Sequence, residues 1–403
     1  MLFTVLILLF FSPPLLLAMS WMRMRWGYIW LAAALCAGLG WVALFVTAWR
    51  LPVSLDWQGW GAGLAAGGSR WLLVDAYSWP PGFLLAAIGL GAILTGLAQP
   101  EGNDWQNLAS ILGVLAVGLF GVFAGGLAAL GFAWTAMDIL ELVILLRRST
   151  GREARERVML AFGVNIGATI LVILGLVASR GGLLSFQPMP QEAGLVLVLA
   201  AGFRLGVLPV QAPYSPSLRI SPALETMMRL APVAGSLSLL ARASAVGLPD
   251  FWRIPLLVFV WLAGFYGAVN WLTREDDPAG PQYWILGIAS LAVAAAVWQA
   301  SVAVSAWGVI LLAGGSLAAL RRSQSRGFRL FFGMAMAGMA GLPFTPGWAA
   351  VMGLGAGPWW GGWLFGGLVV VILLGFYRRT VHDVEGGDGL AGGSVCFTWL
   401  VCC

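Results

Sequence analysis

The 403-residue sequence contains no lysine, a single histidine, and charged residues at only 10% of its positions. All 22 of its basic residues are therefore arginines. Lysine can be tuned to give up a proton near neutral pH, whereas a guanidinium stays charged in a protein. The histidine, His382, follows the last apolar run beside Asp383, which excludes it from any relay inside a membrane. The four cysteines (Cys36, Cys396, Cys402 and Cys403) have neither metal-ligand spacing nor a disulfide framework. There is no Gly-rich phosphate loop after a strand, no HExxH and no CxxC, so catalysis, a metal and a cofactor are not expected in this chain. The low charge, with 60% hydrophobic residues and a mean hydropathy of +0.89, excludes an ordinary soluble domain. No segment is left to house a nucleotide or a redox centre. The net charge of +5 sits in short arginine-bearing loops, which makes it a topology signal and not a nucleic-acid signal.

Long apolar runs fill nearly the whole chain. A span needs about 20 apolar residues, and about thirteen such segments follow: 1–19, 27–48, 79–98, 107–123, 127–146, 158–178, 194–213, 221–241, 254–272, 282–300, 303–320, 329–349 and 358–377. The first lacks a basic region before its apolar run and reads as an uncleaved helix. The loops after alternate helices, with the C-terminal tail, hold 15 arginines, among them Arg23, Arg147, Arg155, Arg321 and Arg378. The opposite side holds five: Arg50, Arg70, Arg180, Arg242 and Arg253. This asymmetry places the N-terminus outside and the C-terminus in the cytoplasm, as expected for an integral protein of a prokaryotic inner or plasma membrane. The 22 tryptophans suit interface belts and the 55 glycines suit close helix packing in the bilayer.

Two arginines, Arg204 and Arg229, fall inside apolar segments, as do Asp138, Glu141 and Glu225. A charge at the bilayer centre costs roughly 2.5–3.5 kcal/mol, so these five residues form a candidate ion path. Asp138 and Glu141 are three apart and share a helix face. Desolvation disfavours a charged carboxylate, so such an acid can exchange a proton near neutral pH. The plainer alternatives are that Glu141 pairs with the Arg147 cluster, that Arg204 makes a structural salt bridge to Asp138 or Glu141, and that Glu225 and Arg229, spaced i, i+4, neutralise each other. Two helices are expected to be broken. The seventh carries Pro209 and Pro213, and the twelfth carries Gly341, Pro343 and Gly347. Paired interruptions five helices apart point to an inverted-repeat transporter. The resulting division is 1–98 (helices 1–3), 99–247 (first five-helix repeat), 248–377 (second repeat) and a cytoplasmic tail, 378–403. The tail is too short to span. Acylation of Cys402 or Cys403 is an open alternative there.

The stretch from Asp75 to about Trp348 resembles the antiporter-like membrane subunits of respiratory complex I and of Mrp sodium/proton antiporters. WLLVDAYSWPPGFLLAAIGLGAIL resembles the family's aspartate-Gly-Leu-Ser phrase before an apolar helix. FRLGVLPVQAPYSPSLRISPALETMMRLAPVAGSLSLLAR resembles the run in which a lysine precedes Pro-Phe-His, a Pro-rich loop and a closing Leu-Leu-x-Arg. MAGLPFTPGW resembles the end of the family's broken twelfth helix. The resemblance puts the family's lysine on Arg204, its proline on Pro209, its histidine on Gln211 and its final arginine on Arg242. Its helix-five glutamate falls on Asp138, with Glu141 as the fallback. The second half departs from the pattern: the charged residue after the twelfth-helix break falls on Val351, and the start of helix ten has no lysine.

The resemblance implies an all-α polytopic subunit of a complex I-like NADH:quinone oxidoreductase, a membrane-bound hydrogenase or an Mrp-type complex. Its partners would be other membrane subunits and the lipid bilayer. It would take part in proton or sodium/proton translocation with a degenerate second half-channel, and redox chemistry would lie on its partners. Two alternatives stand beside this: a non-conducting structural subunit, and a stand-alone transporter of a small anionic solute bound at Arg204.

Overall fold

A computed structural model describes residues 2–56, 70–95, 104–149, 151–179, 189–210, 220–273, 280–319, 338–339, 341–355 and 357–385, without the side chains of 2, 3, 56, 70, 318, 319 and 379–385. Helices dominate, because in hydrocarbon a spanning segment must satisfy its own backbone groups. In chain order they are α1 (Leu2–Trp21), α2 (Trp26–Thr47), α3 (Trp79–Thr95), α4 (Trp105–Val122), α5 (Leu127–Arg148), α6 (Arg152–Ala178) and α7 (Gln191–Arg204). Then come α8 (Pro222–Val246), α9 (Asp250–Thr273), α10 (Gly280–Val297), α11 (Ser301–Ala319), α12 (Pro346–Leu354) and α13 (Trp359–Glu385). Eight of the described helices are long and apolar enough to cross a membrane, and the apolar parts of α3 and α11 are shorter. The chain is an integral membrane protein.

Burial sorts the helices into an inner and an outer set. The apolar window of α6 is only 22% buried and that of α10 is 83% buried. On α6 the outer face is Leu160, Ile170, Ile173 and Val177, all exposed and all compatible with lipid. The interior helix of the first half is α8, which packs against α3, α4, α7, α10 and α11. Shielded from lipid by these neighbours, it can carry hydroxyls. Thr226 and Ser236 donate to carbonyls of their own helix, Pro222 O at 2.7 Å and Pro232 O at 2.9 Å. Ser238 donates across to Val122 O of α4 at 2.9 Å, so this polar group also ties two helices together. In the second half, α9 and α10 approach at Gly267, where a Cβ would stand 2.9 Å from Gly287 N and 3.0 Å from Tyr283 O.

Several boundaries differ from the sequence reading. α6 starts at Arg152, not near 158, because its charged first turns are bridged by i, i+4 pairs, Arg152–Glu156 at 2.8 Å and Arg157–Glu153. α13 runs to Glu385 and so takes in the first residues of the predicted tail, while 386–403 lie outside the described residues. The long connection between α2 and α3 holds a two-stranded antiparallel sheet that the sequence reading did not contain, β1 (Val53–Asp56) with β2 (Arg70–Val74). β2 also meets the α4–α5 connection. Leu73 N donates to Phe123 O and Gly125 N to Trp71 O, both at 2.8 Å.

Candidate functional site

The α7 break sets the site. The helix ends at Arg204, and Leu205–Val210 form turns. Pro209 has no amide for Leu205 O and disfavours helical backbone at Leu208. Gly206 takes φ +72°, a conformation that suits glycine, and Val207 N and Leu208 N both fold back onto Gly202 O. Arg204 thus sits on the last turn of a shortened helix, with its side chain in protein. The expected break is present at Pro209, and Pro213 and Gln211 lie outside the described residues.

Arg204 meets Asp138 of α5 in two parallel hydrogen bonds. Nη2 donates to Oδ1 at 2.6 Å and Nη1 to Oδ2 at 3.2 Å. The hydroxyl of Thr169 on α6 adds a bond to Oδ2 at 3.2 Å. The two charged side chains are 1% and 2% exposed. The guanidinium also lies over the Trp134 ring, 4.6 Å from its centroid. The pair therefore links α5, α6 and α7 in a bidentate, charge-assisted contact. Beside it is a cavity of about 10 Å³, lined by Gly118, Trp134, Met137, Arg204, Pro232 and Gly235 among others.

Glu141 stands one turn further along α5. It is 9% exposed, and its Oε1 is buried without a hydrogen-bond partner among the described residues. It makes no ion pair with Arg147 or Arg148 there. Arg148 instead donates to Asn107 of α4 at 2.6 Å.

Glu225 and Arg229 bond to each other within the first turns of α8. They are not a deeply buried pair, since their side chains are 40% and 17% exposed. Glu225 lies in the first turn of the helix. An i, i+4 pair at the first turns of a helix, open to water on the Glu225 side, contributes little. Glu225→Gln is expected to change stability by no more than about 1 kcal/mol, read as a small shift in the detergent melting temperature. A loss several times larger would restore a structural role for the pair.

At the second break, Gly341 (φ +78°) and Pro343 lie in the turn ahead of α12. Thr345 caps α12 by accepting from Trp348 N at 3.4 Å. Gly347 is pressed onto the preceding backbone, where a Cβ would stand 2.5 Å from Gly338 O. Of the predicted span 329–349, residues 329–337 and 340 lie outside the described residues, and its end from Pro346 belongs to a helix that runs to Leu354. Val351 is 42% exposed. Among the described residues from Asp250 onward, the buried polar side chain is Ser290, and no buried side chain is charged.

One constellation was not foreseen as a site. Arg242 was counted with the outer loops, yet it lies within α8 and is 7% exposed. It reaches Asp75 Oδ2 at 3.4 Å and donates to Leu73 O at 3.1 Å and to Ala124 O. Asp75 also organises the start of α3, accepting from Ser78 N at 2.8 Å and Tyr77 N at 3.2 Å. The DAYS phrase and the closing LLAR were each visible in the sequence. The contact itself was not visible, since Arg242 lies 169 residues from Leu73 and only the fold closes that separation.

No family model and no curated protein matches this sequence. Solved structures match its fold. A chain of the Mrp complex from Dietzia sp. DQ12-45-1b superposes with a TM-score of 0.77 at 16% identity, over 95% of this chain and 46% of that one. The chain has the fold of the antiporter-like membrane subunits. A chain of respiratory complex I from Thermus thermophilus gives a TM-score of 0.73 at 16% identity, over 94% of this chain and 89% of that one. A chain of the membrane-bound sulfane sulfur reductase, an archaeal respiratory membrane complex, gives 0.69 at 15% identity, over 93% and 69%. This chain spans about half the length of the Mrp chain, so the fold is what these likenesses establish.

Proposed function

We propose that the chain is a membrane-arm subunit of a complex I-like, membrane-bound hydrogenase or Mrp-type assembly, and that it takes part in proton or sodium/proton translocation. The observation that carries this reading is the buried Asp138–Arg204 pair at the break of α7, an acid and a base held together inside a transporter-like fold. The helices α4–α8 and α9–α13 would be its two repeats. The lack of buried charge among the described residues of α9–α13 supports a degenerate second half-channel. The proposed setting is the inner or plasma membrane of a prokaryote, with the N-terminus outside and the C-terminus cytoplasmic. Other membrane subunits would be its partners and would carry any redox chemistry.

The same locked pair, with arginine in place of a lysine, favours as a second reading a subunit that holds partners without conducting. A stand-alone carrier of anionic solutes is disfavoured, because Arg204 is taken by Asp138 and the cavity beside it, about 10 Å³, has no room for a solute. Mild-detergent purification from the native membrane, followed by mass spectrometry, tests the reading. Oxidoreductase, hydrogenase or antiporter subunits are expected to co-purify in fixed proportion. Recovery of the chain alone would overturn the assembly assignment.

A further inference from the structure

The Asp138–Arg204 pair does not hold an exchangeable proton while it is intact. Both Asp138 oxygens accept from the guanidinium, Thr169 adds a third bond, and arginine does not release its proton. A half-channel built on a lysine can pass a proton through its cation. This one has to pass it through another group.

Besides Asp138, the buried acid among the described residues is Glu141, while Glu225 on α8 is 40% exposed and bonded to Arg229. Glu141 lies on the same face of α5, within reach of the fields of Arg204 and Asp138, and both Nη atoms of Arg204 are committed to Asp138. Its Oε1 is enclosed by protein without a hydrogen-bond partner among the described residues. An ionised carboxylate so placed would be a buried charge without a partner. The neutral acid carries its own O–H donor and needs far less from its surroundings.

We propose that Glu141 is the proton-bearing carboxyl of the first half, and that the Asp138–Arg204 pair is a fixed neighbour that positions it. This rests on the translocation reading above and moves the mobile proton off the ion pair. Asp138 and Arg204 then act as positioning residues. Glu141 is an addition to the pair, not a member of it, so the order of residues along α5 is Trp134 under the guanidinium, Asp138 in the pair, and Glu141 one turn beyond.

The test uses dicyclohexylcarbodiimide, an apolar reagent that takes up carboxyl groups in their acid form. The acid's proton passes to one carbodiimide nitrogen and its oxygen bonds the central carbon. The adduct rearranges to a stable N-acylurea that keeps every atom of both reactants. Membranes holding the protein are treated at neutral pH and the α5 peptide is sequenced by mass spectrometry. Modification is expected at Glu141 and not at Asp138, and Glu141→Gln is expected to remove it.

In the intact assembly, Glu141→Gln is expected to lower proton flux by about tenfold or more, with partial recovery in Glu141→Asp. Labelling at Asp138 in place of Glu141, or at neither, overturns the assignment of the proton. Labelling at Glu141 with undiminished flux in Glu141→Gln overturns the carrier role alone. Absence of flux from the wild-type assembly overturns the translocation reading and the carrier role with it, while the labelling still reports where the proton sits.

Discussion

Asp138→Leu is expected to destabilise the protein by about 3–5 kcal/mol, the usual cost of removing one member of a buried ion pair. The reason is what remains. Arg204, 1% exposed, would keep its charge and lose both of its carboxylate contacts. The Trp134 face would remain to it, with Glu141 one turn along α5. Removing both partners has a different outcome. In Asp138→Leu with Arg204→Met the cavity is filled by apolar side chains of similar size and no charge is stranded, so stability is expected to return to within about 1–2 kcal/mol of the parent. A double-mutant cycle on detergent melting or denaturant midpoints reads both numbers. A single variant as stable as the parent would mean that Arg204 finds water or lipid headgroups, and that the site is not sealed.

This asymmetry bears on any transport experiment. A loss of flux in an Asp138 variant alone mixes a broken proton path with a weakened fold. The double variant separates them. If the pair only positions Glu141, the double variant should assemble and retain part of the flux. If the pair is itself the path, it should assemble and conduct nothing.

Much of this was legible in the sequence, and the reasons differ from residue to residue. The helices followed from uninterrupted apolar runs, since a chain in hydrocarbon has few alternatives to a helix. The α7 break followed from Pro209, which acts locally through its missing amide. The Asp138–Arg204 contact was one of two pairings left open for Arg204, because spacing along the chain says nothing of how α5 and α7 rotate against each other. Glu225 fell in an apolar segment of the sequence, yet its side chain is 40% exposed, because an apolar neighbourhood in sequence does not tell how far a first turn is covered by other helices. The β1–β2 pair escaped because its strands, four and five residues long, are separated by a longer stretch without regular alternation.

Arg242→Met is the variant whose effect should reach furthest through the connections between helices. The guanidinium of Arg242 ties α8 to two stretches remote from it in sequence: Leu73–Asp75, where β2 ends ahead of α3, and Ala124 O in the α4–α5 connection. Its removal leaves a carboxylate 21% exposed, takes the Arg242 donor from Ala124 O, and leaves Leu73 O with the Ser78 hydroxyl at 3.2 Å. The expected loss is about 3–5 kcal/mol. Arg242→Lys should recover only part of it, because a single ammonium does not reproduce a planar fork that meets three acceptors. Asp75→Asn should cost less than Arg242→Met. Its side-chain oxygen can still accept from Ser78 N and Tyr77 N, and only the ionic contact is lost. Amide hydrogen exchange gives the local readout. In Arg242→Met, Leu73 N and Gly125 N, whose bonds join β2 to the α4–α5 connection, should lose protection well before the amides of α8. Unchanged protection at those two amides would show that the strand contacts stand without the arginine, and that Arg242 is held by them instead of holding them.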